Sequence, residues 1–278
     1  METVDPIGDE ERPVAPPPLP EPEPPTLRAG RASAIFIIYI VTQLAVGIAL
    51  GLVLAFVVGV KHGVTDPGSV EGAIDHALML LVVPLSIVGV MVGALLAFLL
   101  TRWSLRGSIR EGALAQLGWQ ASSKISIYKS LTLGCAFAVI YLYLVTFLFP
   151  PDEDQTFGPL AAAAAAGGWQ RLLWAFLALV LAPPIEEFMF RGVLFSGLAK
   201  SVKVRPAAVI VTLIFILLHM TELRSYWPAW LAITTLGCAT LYVRIKSDSL
   251  GPALAMHFGY NVLLVISVFF LPAMPVQY

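Results

Sequence analysis

The sequence predicts an all-α fold, a polytopic transmembrane helical bundle of about seven spans. Three observations carry this. The chain is 58% hydrophobic and 13% charged, with a mean hydropathy of +0.83. Its apolar residues fall in runs approaching or exceeding the roughly 20 that a helix needs to cross a bilayer core of about 30 Å. Lys and Arg gather in every second loop, the alternation of a chain that weaves through a membrane. A net charge of −1 leaves no basic footprint, and no nucleic-acid partner is expected. Cys135 and Cys238 lie inside apolar runs, so they give neither a disulfide framework nor a cysteine-based metal motif and are expected to be packing residues.

The first 34 residues hold nine prolines and seven acids, a composition that cannot bury enough apolar surface to fold. Residues 1–34 are therefore expected to be a disordered, Pro-rich acidic tail. An acidic start and a first apolar run too long for an h-region argue against a signal peptide. That run, 34–60, is the first span, and Asp66-Pro67-Gly68 marks the turn to a second at about 77–100. Residues 102–130 carry Arg102, Arg106, Arg110, Lys124 and Lys129 against Glu111 alone. Within them Ser108-Ile-Arg-Glu111 resembles a capping box before Ala113, Leu114, Leu117 and Trp119. An interfacial amphipathic helix and an ordinary cytoplasmic loop both fit there.

The third span is expected at about 131–149, ending in Pro150-Pro151-Asp152-Glu153-Asp154 and a loop without basic residues before Arg171. The fourth, about 169–199, is longer than a bilayer requires and is closed by Lys200, Lys203 and Arg205. A fifth follows at 207–220, a sixth at about 228–243, and a seventh at about 252–271 before Pro272. The positive-inside rule then places the N-terminus in the cytoplasm and the C-terminus outside.

The candidate chemistry lies in the last four spans. Ala182-Pro-Pro-Ile-Glu-Glu-Phe-Met-Phe-Arg191 sets two carboxylates inside an apolar run. A charge there costs at least about 2.5 to 3.5 kcal/mol on insertion scales, so it is read as functional. Glu187 and Arg191 are four apart and share a helix face, which makes them a structural pair. Glu186 lies about 100° round the helix and is left free for chemistry. Pro183 and Pro184 free backbone carbonyls that need a polar neighbour. Phe215-x-x-x-His219 and His257-x-x-x-Asn261 are one-face pairs on two other spans. Counted from Lys200 and Arg205, Glu186 and His219 are equally deep, roughly 21 Å along their helices. His257 comes out shallower unless its helix tilts or the loop at Gly251-Pro252 folds inward.

These three motifs, in this order and on separate spans, resemble those of the CPBP (CAAX protease and bacteriocin-processing, or Abi) family of intramembrane proteases. The resemblance covers about residues 110–271. It implies a protease core over 102–271, with 35–101 as two accessory helices and 272–278 as a tail. It further implies a type II CAAX-prenyl-endopeptidase-like enzyme that cuts a membrane-associated protein or peptide at the lipid bilayer. In that reading Glu186 and His219 activate the attacking water, while His257 and Asn261 stabilise the oxyanion. Glu187, Arg191 and Phe215 support them. No cofactor is the preferred expectation, since no His-Glu-x-x-His helix is present to fix a zinc. The alternative is a Zn²⁺ held by Glu186, His219 and His257. Competing functions are a noncatalytic scaffold or bacteriocin-immunity protein, and an ion-coupled transporter, against which the absence of an inverted repeat counts. A bacterial plasma membrane is the expected setting.

Overall fold

Helix is the regular structure of every described segment, as a bilayer demands of a chain whose backbone groups must pair within themselves. The structure is a computed structural model that describes residues 26–65, 67–105, 114–122, 124–150, 158–220 and 226–270. In chain order the helices are α1 (Ala29–Thr65), α2 (Val70–Ser104), α3 (Ile127–Leu148), α4 (Pro159–Ala166), α5 (Gly168–Val202), α6 (Val204–Leu218), α7 (Trp227–Ser247) and α8 (Leu250–Phe270). Six of them are long and apolar enough to cross a membrane. The seventh apolar helix, α6, has 15 residues, and its rise of about 22 Å falls short of a 30 Å core. The protein is an integral membrane protein. Its lipid-side faces are correspondingly apolar, as in the stripe Val53, Phe56, Val57 and Val60 on α1, each more than half exposed.

Helix begins earlier than composition predicts. α1 starts at Ala29, inside the stretch expected to be tail, and Leu27 and Ala32 are buried against α5 and its neighbours. The loop expected before Arg171 contains the short helix α4, started by Pro159 at its first turn. The capping box at Ser108 to Glu111, Ala113, the acidic turn at Asp152 to Asp154, and residues 1–25 and 271–278 lie outside the described residues. What is described of the expected interfacial helix is a single 3₁₀ turn, Ala115–Leu117, closed by Gly118 at φ 83°. Leu117 is buried, whereas Leu114 and Trp119 are exposed.

Glycines set the close crossings. On α2, a Cβ at Gly89 would stand 2.8 Å from the Gln43 carbonyl of α1. On the α3–α8 crossing, Gly134 lies against Met256 O and Gly259 against Leu131 O, so neither has room for a side chain. Cys135 packs there with Sγ 3.4 Å from Gly259 O, but Cys238 is exposed on α7 and is no core residue. The α2–α3 segment, the end of α5 and the α7–α8 turn meet at one end of the bundle. Leu250 N–H donates to Gly118 O at 2.7 Å, Gln120 Nε2 to Asp248 O at 2.8 Å, and Lys200 Nζ to Gln116 Oε1 at 3.1 Å. The buried Arg244 ties the same turn, 3.0 Å from Asp248. Leu250 and Pro252 at the start of α8 are buried, and His257 reaches the level of the Glu pair, its Nδ1 2.9 Å from Glu187 Oε1.

Candidate active site

α5 departs from regular α-helix on both sides of the Glu pair. Leu177–Leu181 and Glu187–Leu194 are π-helical, flanking a short α turn at Ala182–Glu186. The prolines give the local cause. Ala182 N–H donates to Leu177 O, five residues back. The Ala178 carbonyl would next accept from residue 183, but that is proline and has no N–H. Asn261 of α8 supplies the missing donor, with Nδ2 2.8 Å from Ala178 O. The polar neighbour that the prolines require is therefore one of the candidate site residues, and one of its two amide hydrogens is committed there.

The two carboxylates are placed differently. Glu187 is 1% exposed and its Oε1 lies 3.3 Å from Nη1 of Arg191, itself 1% exposed. Arg191 Nη2 donates to Thr240 Oγ1 at 2.7 Å and to Gly237 O at 3.3 Å, and its guanidinium lies 4.4 Å from the centroid of Phe215. The same Glu187 oxygen accepts from His257 Nδ1 at 2.9 Å. That bond fixes the imidazole, and Nε2 then stands 3.8 Å from Glu186 Oε2. Glu186 is 20% exposed at its side chain and accepts no closer bond from the described residues.

His219 ends α6. Its backbone N–H turns to Ile216 O, and its ring Nδ1 donates to the Phe215 carbonyl at 2.7 Å, capping the helix with its own side chain. The proton on Nδ1 leaves Nε2 as the acceptor. Phe215, 1% exposed, packs against His219 and His257 at centroid distances of 4.5 and 6.4 Å and so spaces the two imidazoles.

Glu186, His219, His257 and Asn261 all line one cavity of about 1380 Å³. The cavity is wider than the last four spans alone would make it, because α1, α2 and α4 supply much of the wall. Sequence reasoning missed Tyr39 of α1, which lines the cavity beside Phe190 and Glu186, and Thr240, which anchors Arg191. Neither belongs to a charged motif, and only tertiary packing brings them in. As for the zinc alternative, no group of three or more His, Cys, Asp or Glu side chains placed to hold a metal ion is found among the described residues.

Comparison with known proteins gives one match. No curated protein and no solved structure matches the chain. Residues 168–263 match the family model described as type II CAAX prenyl endopeptidase Rce1-like. The matched segment runs from the start of α5 into α8 and holds Glu186, His219, His257 and Asn261, in agreement with the resemblance that the motifs carry. Helices α1 to α4 lie outside it. The segment that carries Glu186, His219, His257 and Asn261 is therefore similar to an Rce1-like type II CAAX prenyl endopeptidase domain.

Proposed function

We propose that this chain is an intramembrane endopeptidase that hydrolyses a peptide bond of a membrane-associated protein or peptide in the cavity faced by Glu186. The observation that carries this is the division of labour within the Glu pair: Glu187 is sealed by Arg191 and His257, whereas Glu186 is the one Asp or Glu lining the cavity among the described residues. A water between Glu186 and His219 gives up a proton to one of them, and its oxygen adds to the peptide carbonyl carbon. The oxyanion accepts from an Nε2–H of His257, whose ring Glu187 holds through Nδ1, and from the second amide hydrogen of Asn261. Each such donor typically contributes about 10² to 10³ in rate. The C–N bond then breaks as the abstracted proton passes to the leaving amine.

The metal-free form of this reaction is the one proposed, with Glu186 and His219 as the groups that take the proton from water. On the positive-inside rule we read the side carrying the basic residues at the α2–α3, α5–α6 and α7–α8 ends as cytoplasmic, with the N-terminus there and the C-terminus outside. The test is a comparison of membrane peptides in cells carrying wild type or Glu186→Ala. New peptide termini that depend on Glu186 support the reading. Identical termini, with Glu186→Ala merely lowering folded yield, would make the chain a noncatalytic scaffold.

A further inference from the structure

Helix α1 brings to the cavity two polar side chains that the reaction does not use. Tyr39 and Gln43 both line it, four residues apart and so on one face of the helix. They lie outside the segment that the family model matches. Three contacts set α1 antiparallel to α5 and fix their level. Gly197 lies against Ala32, Phe36 packs against Phe190 at 5.0 Å, and Tyr39 stands near enough to Glu186 for its hydroxyl to feel the carboxylate charge. Gln43, one turn further on, falls at the level of Ala182, which lines the cavity from α5.

Glycines of α2 seat both side chains. A Cβ at Gly93 would stand 3.3 Å from the Tyr39 ring and 3.4 Å from Gln43 Cβ, so only a residue without a side chain lets α1 come this close. A glutamine in a membrane helix ordinarily bonds across to a neighbouring helix. Gln43 meets glycine there instead, and neither its carboxamide nor the Tyr39 hydroxyl bonds to another described residue. Their bases are packed, and their polar ends are left to whatever fills the cavity.

Resting on the hydrolase reading of Glu186, we propose that Tyr39 and Gln43 form a subsite that binds the main chain of an extended peptide substrate along α1. The chemistry fits a peptide unit, because a carboxamide offers N–H donors and a carbonyl acceptor, and a phenol hydroxyl both donates and accepts. The spacing fits as well. Four helical residues rise about 6 Å, and an extended chain repeats the groups on one edge every two residues, about 6.6 to 6.8 Å. Tyr39 therefore takes the peptide unit near the scissile bond, and Gln43 the one two residues away. Holding main chain rather than side chains fixes the register of the substrate while leaving its sequence open.

Ester-for-amide replacement tests this by binding alone. Pooled ten-residue apolar peptides are incubated with full-length Glu186→Gln in nanodiscs of neutral lipid. The best-retained sequence is remade with one backbone amide at a time replaced by an ester, which removes the N–H and weakens the carbonyl. Two positions, two residues apart, should each lose about three- to tenfold in affinity. In the same background Tyr39→Phe should erase the loss at one of them and Gln43→Met at the other, with size-exclusion profiles confirming that both variants are folded. Uniform affinity across the ester series on unmutated α1 would overturn the proposal even if a variant fails to fold. So would two sensitive positions that keep their full loss in both variants. Sensitive positions next to each other would refute the extended path along α1. If no peptide is retained, the proposal falls together with the substrate reading beneath it. Cleavage by wild type without ester sensitivity counts against the subsite alone, and ester sensitivity without cleavage against the hydrolase reading alone.

Discussion

Replacing Glu187 by Gln removes a charge from a place where its partner cannot reach water. Arg191 and Glu187 are each 1% exposed, 3.3 Å apart, and deep in a cluster that includes Phe190 and Phe215. In Glu187→Gln the bonds from Nη2 to Thr240 and Gly237 survive, but the positive charge loses its counter-ion. Breaking a buried pair from one side costs about 3–5 kcal/mol. Set against a typical stability of about 5–15 kcal/mol, that is enough to reduce folded yield sharply. The double variant Glu187→Gln, Arg191→Met removes both charges and keeps the volume, so most of the stability should return. Thermal unfolding of purified protein in detergent, run as a double-mutant cycle, reads the coupling, expected towards the upper part of the usual range of about 0.5–3 kcal/mol. Cleavage should stay low in the double variant, because His257 loses the carboxylate that fixes its ring. Wild-type stability in Glu187→Gln, or a double variant no better than the single, would refute the claim that Glu187 is the structural member of the pair.

Other expectations follow from single contacts. Asn261→Ala leaves the Ala178 carbonyl without its donor and should cost about 1–3 kcal/mol; adding Pro183→Ala, which restores a backbone N–H, should recover part of it in the same unfolding assay. Gly134→Ala drives a methyl into Met256 O and should cost about 1–3 kcal/mol or more, as reduced unfolding temperature, by spreading α3 from α8. Activity should be unchanged by phenanthroline relative to its non-chelating isomer; loss with the chelator and recovery with added Zn²⁺ would mean that the cavity assembles a metal site in solution.

The spans were legible because hydropathy is local, and the alternation of basic loops carried their number. The Glu187–Arg191 pair was legible because four residues on a helix bring side chains together whatever surrounds them. The bond from His257 to the same Glu187 was not legible, since it joins residues 70 apart in sequence. Asn261 shows the boundary well. Its helix face could be read from spacing with His257, and the need for a donor near Pro183 from proline chemistry, but nothing in either segment says that the two meet. Tyr39 lay further out of reach, because an aromatic residue in an apolar run looks the same whether it faces lipid, core or cavity. The family resemblance leaves α1 outside the protease core, and in the structure Phe36 packs edge-on against Phe190 at 5.0 Å while a Cβ on Gly197 would collide with Ala32. α1 is thus part of the wall of the site.

The central claim is that Glu186 makes water attack a peptide bond. Purified wild type and Glu186→Gln, reconstituted in liposomes, are incubated with membrane-protein extract in heavy-oxygen water, and new carboxyl termini are identified by mass spectrometry. Glu186 is partly exposed and its Oε2 lies 3.8 Å from His257 Nε2, so the uncharged isostere should fold as well as wild type. Wild type should produce termini carrying the heavy oxygen, and Glu186→Gln should produce them at least roughly 10²-fold more slowly. Termini formed equally by both proteins, or by neither, would contradict the account.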